Sequence, residues 1–317
     1  MTATPATASA PAGGGRRGLS RRAKVLIGVS IYILIGILLG VLFGNEGRND
    51  AYKPQNEFKL DPWISIHIGS IDMSINKAVL YLFLACALTI ATMLYIANRM
   101  QQHPNRVQTA VETAYQFAKS TIVGTNMDRR MATRWFTFVA TLFIFIWFSN
   151  MLGYFPLPTN TDHKVNVFGL HLPTFALYAA TANLSVPLTM TLVVWFSYHW
   201  EGIRAKGFVG YLKSWIPDGV TGFARIPIFA IEVISHFVRI ISLSVRLFAN
   251  LLAGHLLILF MGGGIVVILG LAALGVFTLV VAFAFYMFEL LLIATLQAFI
   301  FSVLTAIYIG EATSEAH

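Results

Sequence analysis

The chain has 317 residues, 57% hydrophobic and only 11% charged, whereas about a quarter of the residues in an average soluble domain are charged. Its net charge of +8 would suit a nucleic-acid binder, but most Lys and Arg sit in clusters beside apolar runs, the footprint of membrane topology. A mean hydropathy of +0.72 and repeated long apolar runs exclude a soluble globular domain and point to a polytopic helical membrane protein.

Residues 1–15, MTATPATASAPAGGG, are low-complexity and carry no apolar face to bury. With Arg16, Arg17, Arg21, Arg22 and Lys24 they form a basic tail over 1–24 that is expected to be disordered. The apolar run Val25–Phe43 follows. It is longer than the usual signal-peptide core of about 7–15 residues and ends in FGNEGRND, which offers no small-x-small cleavage site. It reads as a retained transmembrane helix. The acid-free, Arg- and Ser-containing start also shares features with an organelle transit peptide.

Further candidate spans are 79–97, 135–155, 174–198, 226–261 and 265–309. The connecting segments alternate in basic content. Segments 1–24, 98–134 and 199–225 together hold fifteen Lys plus Arg, while 44–78 and 156–173 together hold five, 156–173 having Lys164 alone. The positive-inside rule then puts the N-terminus in the cytoplasm, and an even number of crossings brings the C-terminus there too. Between the first two spans, 58–76 alternates apolar and polar residues around a Gly-Ser break and reads as a short outside hairpin. Segment 104–124 is too polar to span. Val107, Ala110, Val111, Ala114, Phe117, Ala118 and Ile122 recur at helical spacing, so it reads as an amphipathic surface helix. Cys86, the single cysteine, reads as a small buried hydrophobe.

The last two spans are too long for simple crossings. At 1.5 Å per residue they would measure roughly 54 and 67 Å, against a hydrocarbon core of about 30 Å. Each is steeply tilted, bent or split. Gly262–Gly264 mark the turn between them, and Gly270 and Gly275 are places for a break.

These two spans also hold the ionisable residues, which are rare inside a bilayer and usually line a water path or pair with one another. They are Glu232, His236, Arg239, Arg246, His255 and Glu289, joined by Asn250 and Gln297. Seven residues make close to two helical turns, so Glu232, Arg239 and Arg246 share one line, with Asn250 beside it and His255 opposite. Arg246 has no carboxylate at i±3 or i±4. Its counter-charge must come from another helix, with Glu289 the intramembrane candidate, or from another chain. The blander readings are snorkelling or a structural ion pair for Arg239, and a satisfied core residue for His255. Asn150, Thr181 and Asn183 read as helix–helix hydrogen bonds, and His163 and His171 as solvated loop residues. No phosphate loop, HExxH, Cys/His cluster or nucleophile elbow is present in the sequence, so no cofactor is implied.

"SLSVRLFANLLAGHLL" followed by "LQAFIFSVLTAIYI" resembles the subunit a family of F-type ATP synthases, over roughly 77–312. The resemblance implies an all-α polytopic membrane protein of about six membrane helices. Two are long, tilted and C-terminal, and one further helix is amphipathic and lies on the surface. Residues 44–317 would form the subunit a domain and 25–43 an extra helix outside the common pattern. Arg246 matches the family's essential arginine, Asn250 the asparagine one turn on, Glu232 the acid of the cytoplasmic half-channel and Gln297 the glutamine near the arginine. His255 and Glu289 stand as an exchanged version of a Glu–His pair. His236 and Arg239 are secondary candidates for the same path. Glu289 is eight residues from Gln297, where seven is usual. A one-residue bulge absorbs this; without one, Glu289 turns away by roughly 100°. The implied partners are a c-ring whose carboxylate faces Arg246, the subunit b peripheral stalk, the remainder of the F1Fo complex and the bilayer, in a bacterial plasma membrane. The competing reading is a self-contained ion-coupled secondary transporter, which would usually show internal repeats.

Overall fold

The computed structural model describes residues 20–43, 58–68, 71–99, 106–167, 170–217, 219–264 and 272–314. The low-complexity start, Arg16, Arg17 and Gly270 lie outside the described residues. So do the side chains of His163 and His171.

Among the described residues the architecture is all-helical apart from two small hairpins. Helix α1 (Arg21–Phe43) begins inside the basic cluster and takes up the first apolar run. Strands β1 (His67–Ile68) and β2 (Ile71–Asp72) pair antiparallel, and an Ile64–Ile75 bridge extends the pairing, so the expected hairpin forms. Helix α2 (Lys77–Arg99) packs against α4 (Arg129–Gly153). Between them lies α3 (Arg106–Phe117), continued by a π-turn over Ala118–Val123, in the segment read as amphipathic. Ala118, Ile122 and Val123 point into the core, while Lys119, Ser120 and Thr121 stay exposed.

The expected span 174–198 begins later than its hydropathy suggests. Residues 174–176 end a second hairpin, β3 (Leu157–Val167) paired with β4 (Leu170–Ala176). Helix α5 starts only at Ser185 and runs to Lys206. The Asn183 Oδ1 accepts the Ser185 N–H at 3.0 Å, a local cap, and Pro187 sits in the first turn, where its missing N–H costs nothing. Asn183 is thus a helix starter, not the interhelical bond expected of it. Gly207 (φ 71°) turns the chain into the short α6 (Phe208–Lys213). Tyr211 of α6 lies so close over Gly202 of α5 that a Cβ there would sit 2.3 Å from the ring.

Helix α7 (Arg225–Leu259) is 35 residues long, roughly 52 Å, and must tilt to stay in a hydrocarbon layer of about 30 Å. A π-turn, Phe260–Gly264, ends it at the expected glycines. The last span consists of α8 (Ala272–Phe288), a π-turn over Glu289–Ile293 and α9 (Ala294–Thr313). Four helical stretches among the described residues are long and apolar enough to cross a membrane: 77–98, 129–153, 222–262 and 278–313. The two long C-terminal helices are among them.

The core lies where α4, α5, α7 and α9 meet, around Ile146, Val194, Leu247, Leu251, Phe301 and Ile309. Helix α1 packs along α8, outside that core.

Candidate functional site

The singled-out residues fall into three places along α7. Near its start, Glu232 and His236 stand one helical turn apart, with Glu232 Oε1 3.7 Å from His236 Nε2. The other ring nitrogen, Nδ1, is 3.0 Å from the Tyr198 hydroxyl on α5. Arg239 donates to Glu311 Oε2 at 3.0 Å, and its guanidinium lies 4.6 Å from the centre of the Tyr308 ring. Both partners belong to the last turns of α9. Arg239 therefore holds an ion pair, as its blander reading allowed, and a cation–π contact besides. These groups line a cavity of about 280 Å³ together with Lys206, Tyr211 and Trp215. The His199 ring packs 4.8 Å from that of His236.

Arg246 lies seven residues beyond Arg239 and is exposed. Among the described residues it donates to the Ser242 hydroxyl, at 3.4 Å, and forms no ion pair. Asn250, one turn on, is exposed beside it. Large apolar side chains are also uncovered around α7: Ile234, Phe237, Val238, Ile241 and Val245 are all more than 40% exposed. A permanent cation on an uncovered helix face within a bilayer is costly unless an opposite charge meets it.

Past Arg246 a second polar cluster closes over the buried side of α7. His255 is fully buried; Nδ1 lies 2.9 Å from the Leu251 carbonyl and Nε2 3.0 Å from the Gly153 carbonyl. A neutral imidazole has one N–H and satisfies one of these oxygens; the doubly protonated ring satisfies both. Glu289 is buried beside it. Its Oε2 accepts the Tyr154 hydroxyl at 3.1 Å, and its carboxyl packs on the bare backbone of Gly254. The Tyr154 ring packs against that of His255, tilted, with the ring centres 4.7 Å apart. Glu289 is thus not the partner of Arg246: its carboxyl sits at Gly254, eight residues and about 12 Å further along α7.

The π-turn at Glu289–Ile293 is the bulge that the eight-residue spacing called for. It takes up one extra residue, so Glu289 and Gln297 face the same way, and both are buried. Asn150 and Thr181 brace this point. The Thr181 hydroxyl donates to Asn150 Oδ1 at 2.9 Å, and Asn150 Nδ2 donates to the Ala294 carbonyl at 3.2 Å.

The arrangement joins Glu232 to His236 and His255 to Glu289, and leaves Arg246 between the two clusters. Sequence reasoning missed Tyr154, Tyr198, His199, Tyr308 and Glu311. Glu311, the lone acid of α9 and three residues after Tyr308, was the one available signal.

The family model described as ATP synthase A chain matches residues 79–310. Proteins named ATP synthase subunit a from Brucella ovis, Brucella canis and Brucella suis are each 31% identical over 271 residues, covering 84% of this chain and 100% of the relative.

Proposed function

The chain belongs to the ATP synthase A chain family, an Fo membrane component of a proton-transporting complex, and from that premise we propose that it is the stator against which a ring of c subunits turns. The observation that carries the reading is Arg246, exposed on the uncovered side of α7 with no ion pair among the described residues. The charge that meets it would be the carboxylate of a passing c subunit. The chain needs no catalytic site of its own; ATP chemistry would sit in the F1 head, with the subunit b stalk holding stator to head.

Two half-channels reach the membrane middle from opposite sides. One descends to Glu289 and His255. A proton arriving there neutralises a ring carboxylate, and the neutral carboxyl can then face lipid at tolerable cost. After nearly a full turn it comes to the cavity lined by Glu232 and His236, and there it loses the proton to the cytoplasmic side. Arg246 and Asn250 stand between the channels. The fixed guanidinium favours the ionised carboxylate and bars direct passage of a proton from one channel to the other. Gln297, on the neighbouring helix, and Arg239, paired with Glu311, frame this path. Each charge moved gains about 2.3 kcal/mol per 100 mV of membrane potential. Residues 1–24 form the basic tail, 25–43 the extra helix and 44–317 the stator domain, in a bacterial plasma membrane with both termini cytoplasmic.

The test is Arg246→Ala in the whole complex, reconstituted in liposomes. ATP hydrolysis should persist while ATP-driven acidification falls at least about 100-fold, with complex assembly intact. Full pumping by the variant would overturn the reading. So would uphill transport by the chain alone in liposomes, the behaviour of a self-contained transporter.

A further inference from the structure

The C-terminal turn of α4 touches both members of the buried His–Glu pair, although no motif of the sequence points to it. Gly153 supplies the carbonyl that faces His255 Nε2 at 3.0 Å. Tyr154, the next residue, is fully buried. Its hydroxyl donates to Glu289 Oε2 at 3.1 Å, while its ring lies 4.7 Å from that of His255, 30° from parallel. Its own carbonyl accepts the Tyr286 hydroxyl at 2.6 Å, which ties the turn to α8. A methyl group on Gly153 would sit 2.4 Å from Ala179 Cβ, so the turn has no room to move away. One phenol is therefore fixed at its backbone, bonded to the acid and packed against the base.

We propose that Tyr154 is a positioning residue for proton entry: it holds the Glu289 carboxylate beside Gly254 and keeps His255 and Glu289 in one register. This rests on the reading of His255 and Glu289 as the entry half-channel and adds a residue to it. A phenol donating to a carboxylate stabilises the charged acceptor, so its removal changes how readily the acid exchanges its proton. The titratable groups facing Tyr154 are His255 from α7, and Tyr286 and Glu289 from the last span. Helix α2 brings Tyr81, whose hydroxyl turns instead to the Phe155 carbonyl at 3.3 Å.

The measurement is passive proton conduction through the reconstituted membrane sector, at fixed potential, against pH on the entry side. Tyr154→Phe keeps the ring and loses the donor. The proton concentration giving half-maximal conduction should move about tenfold, with the maximal rate within about twofold of the parent. In a Glu289→Gln background the same change should move nothing further, because its target is gone. Tyr154→Leu, which also removes the ring packed against His255, should lower the maximal rate as well. Should Tyr154→Phe not assemble, 3-fluorotyrosine at position 154 preserves the shape and donates more strongly; it should move the half-maximal point the opposite way. A parental pH profile in Tyr154→Phe, or in the fluorinated protein where that is the one that assembles, overturns the proposal. Arg246→Ala, measured alongside, separates the two ideas. Coupled pumping there sinks the stator reading, while its loss together with a parental Tyr154→Phe profile sinks the role of Tyr154 alone.

Discussion

Gly254 and Gly153 are both buried, yet a methyl group added at each meets a different obstacle. At Gly254 it would lie 2.4 Å from Glu289 Oε2, the far end of a flexible side chain. At Gly153 it would lie 2.4 Å from Ala179 Cβ and 2.8 Å from its Cα, which cannot swing aside. Gly254→Ala should therefore leave thermal stability of the complex within about 1 kcal/mol and cut proton conduction about tenfold, by displacing the acid. Gly153→Ala should cost about 1–3 kcal/mol through backbone displacement and reduce assembled complex in the membrane. Thermal inactivation and conduction, measured on both, check the contrast; equal stability losses would contradict it. At this scale the sequence exposes charges but not their partners. Glu232, Arg246 and Glu289 stand out because an ionisable group in an apolar run is conspicuous by composition alone. Tyr154, 135 residues from Glu289, and Glu311, 72 from Arg239, become visible only when helices far apart in sequence meet.

Helix register was legible further than expected, because helical period is a local property. The eight-residue interval from Glu289 to Gln297 conflicts with a shared face in a regular α-helix, and the π-turn resolves the conflict at that interval. What stayed hidden was the hairpin of β3 and β4, and with it the late start of α5 at Ser185. An apolar stretch such as 174–184 looks the same to a hydropathy count whether it ends a strand or begins a helix. The register argument gives a prediction at this scale. Deleting Leu291 removes the extra residue, lets the π-turn close to α-helix and restores seven residues between acid and amide. Assembly should persist, with at least about half of parental conduction. Inserting one alanine after Leu291 adds a second extra residue and turns Glu289 by roughly 100°, so conduction should fall to the level of Glu289→Ala. ATP-driven dye quenching in inverted vesicles compares the three. Equal damage by deletion and insertion would mean that the π-turn serves something other than register.

Over the whole molecule, two independent features bear on orientation: the placement of basic residues and the number of crossings. Arg129, Arg130, Arg134, Arg204, Lys206 and Lys213 flank α4, α5 and α6, and Arg134 pairs with the buried Glu201 across α4 and α5. Arg21, Arg22 and Lys24 stand at the start of α1, and the positive-inside rule would put that end of the helix on the same side. Helix α1 lies along α8, ahead of the 79–310 family match and outside the core of α4, α5, α7 and α9, so a crossing by α1 would leave that core undisturbed. One added crossing reverses the side on which the chain begins and leaves everything after it unchanged. In a Cys86→Ala background, Ser9→Cys should react with a membrane-impermeant maleimide in inverted vesicles, and in intact cells only after permeabilisation. Removing residues 1–45 should move the new N-terminus to the outer face, where a cysteine placed beside it reacts in intact cells. Labelling of Ser9→Cys from outside intact cells would show that α1 does not cross, and the chain would then start on the outer side with one crossing fewer.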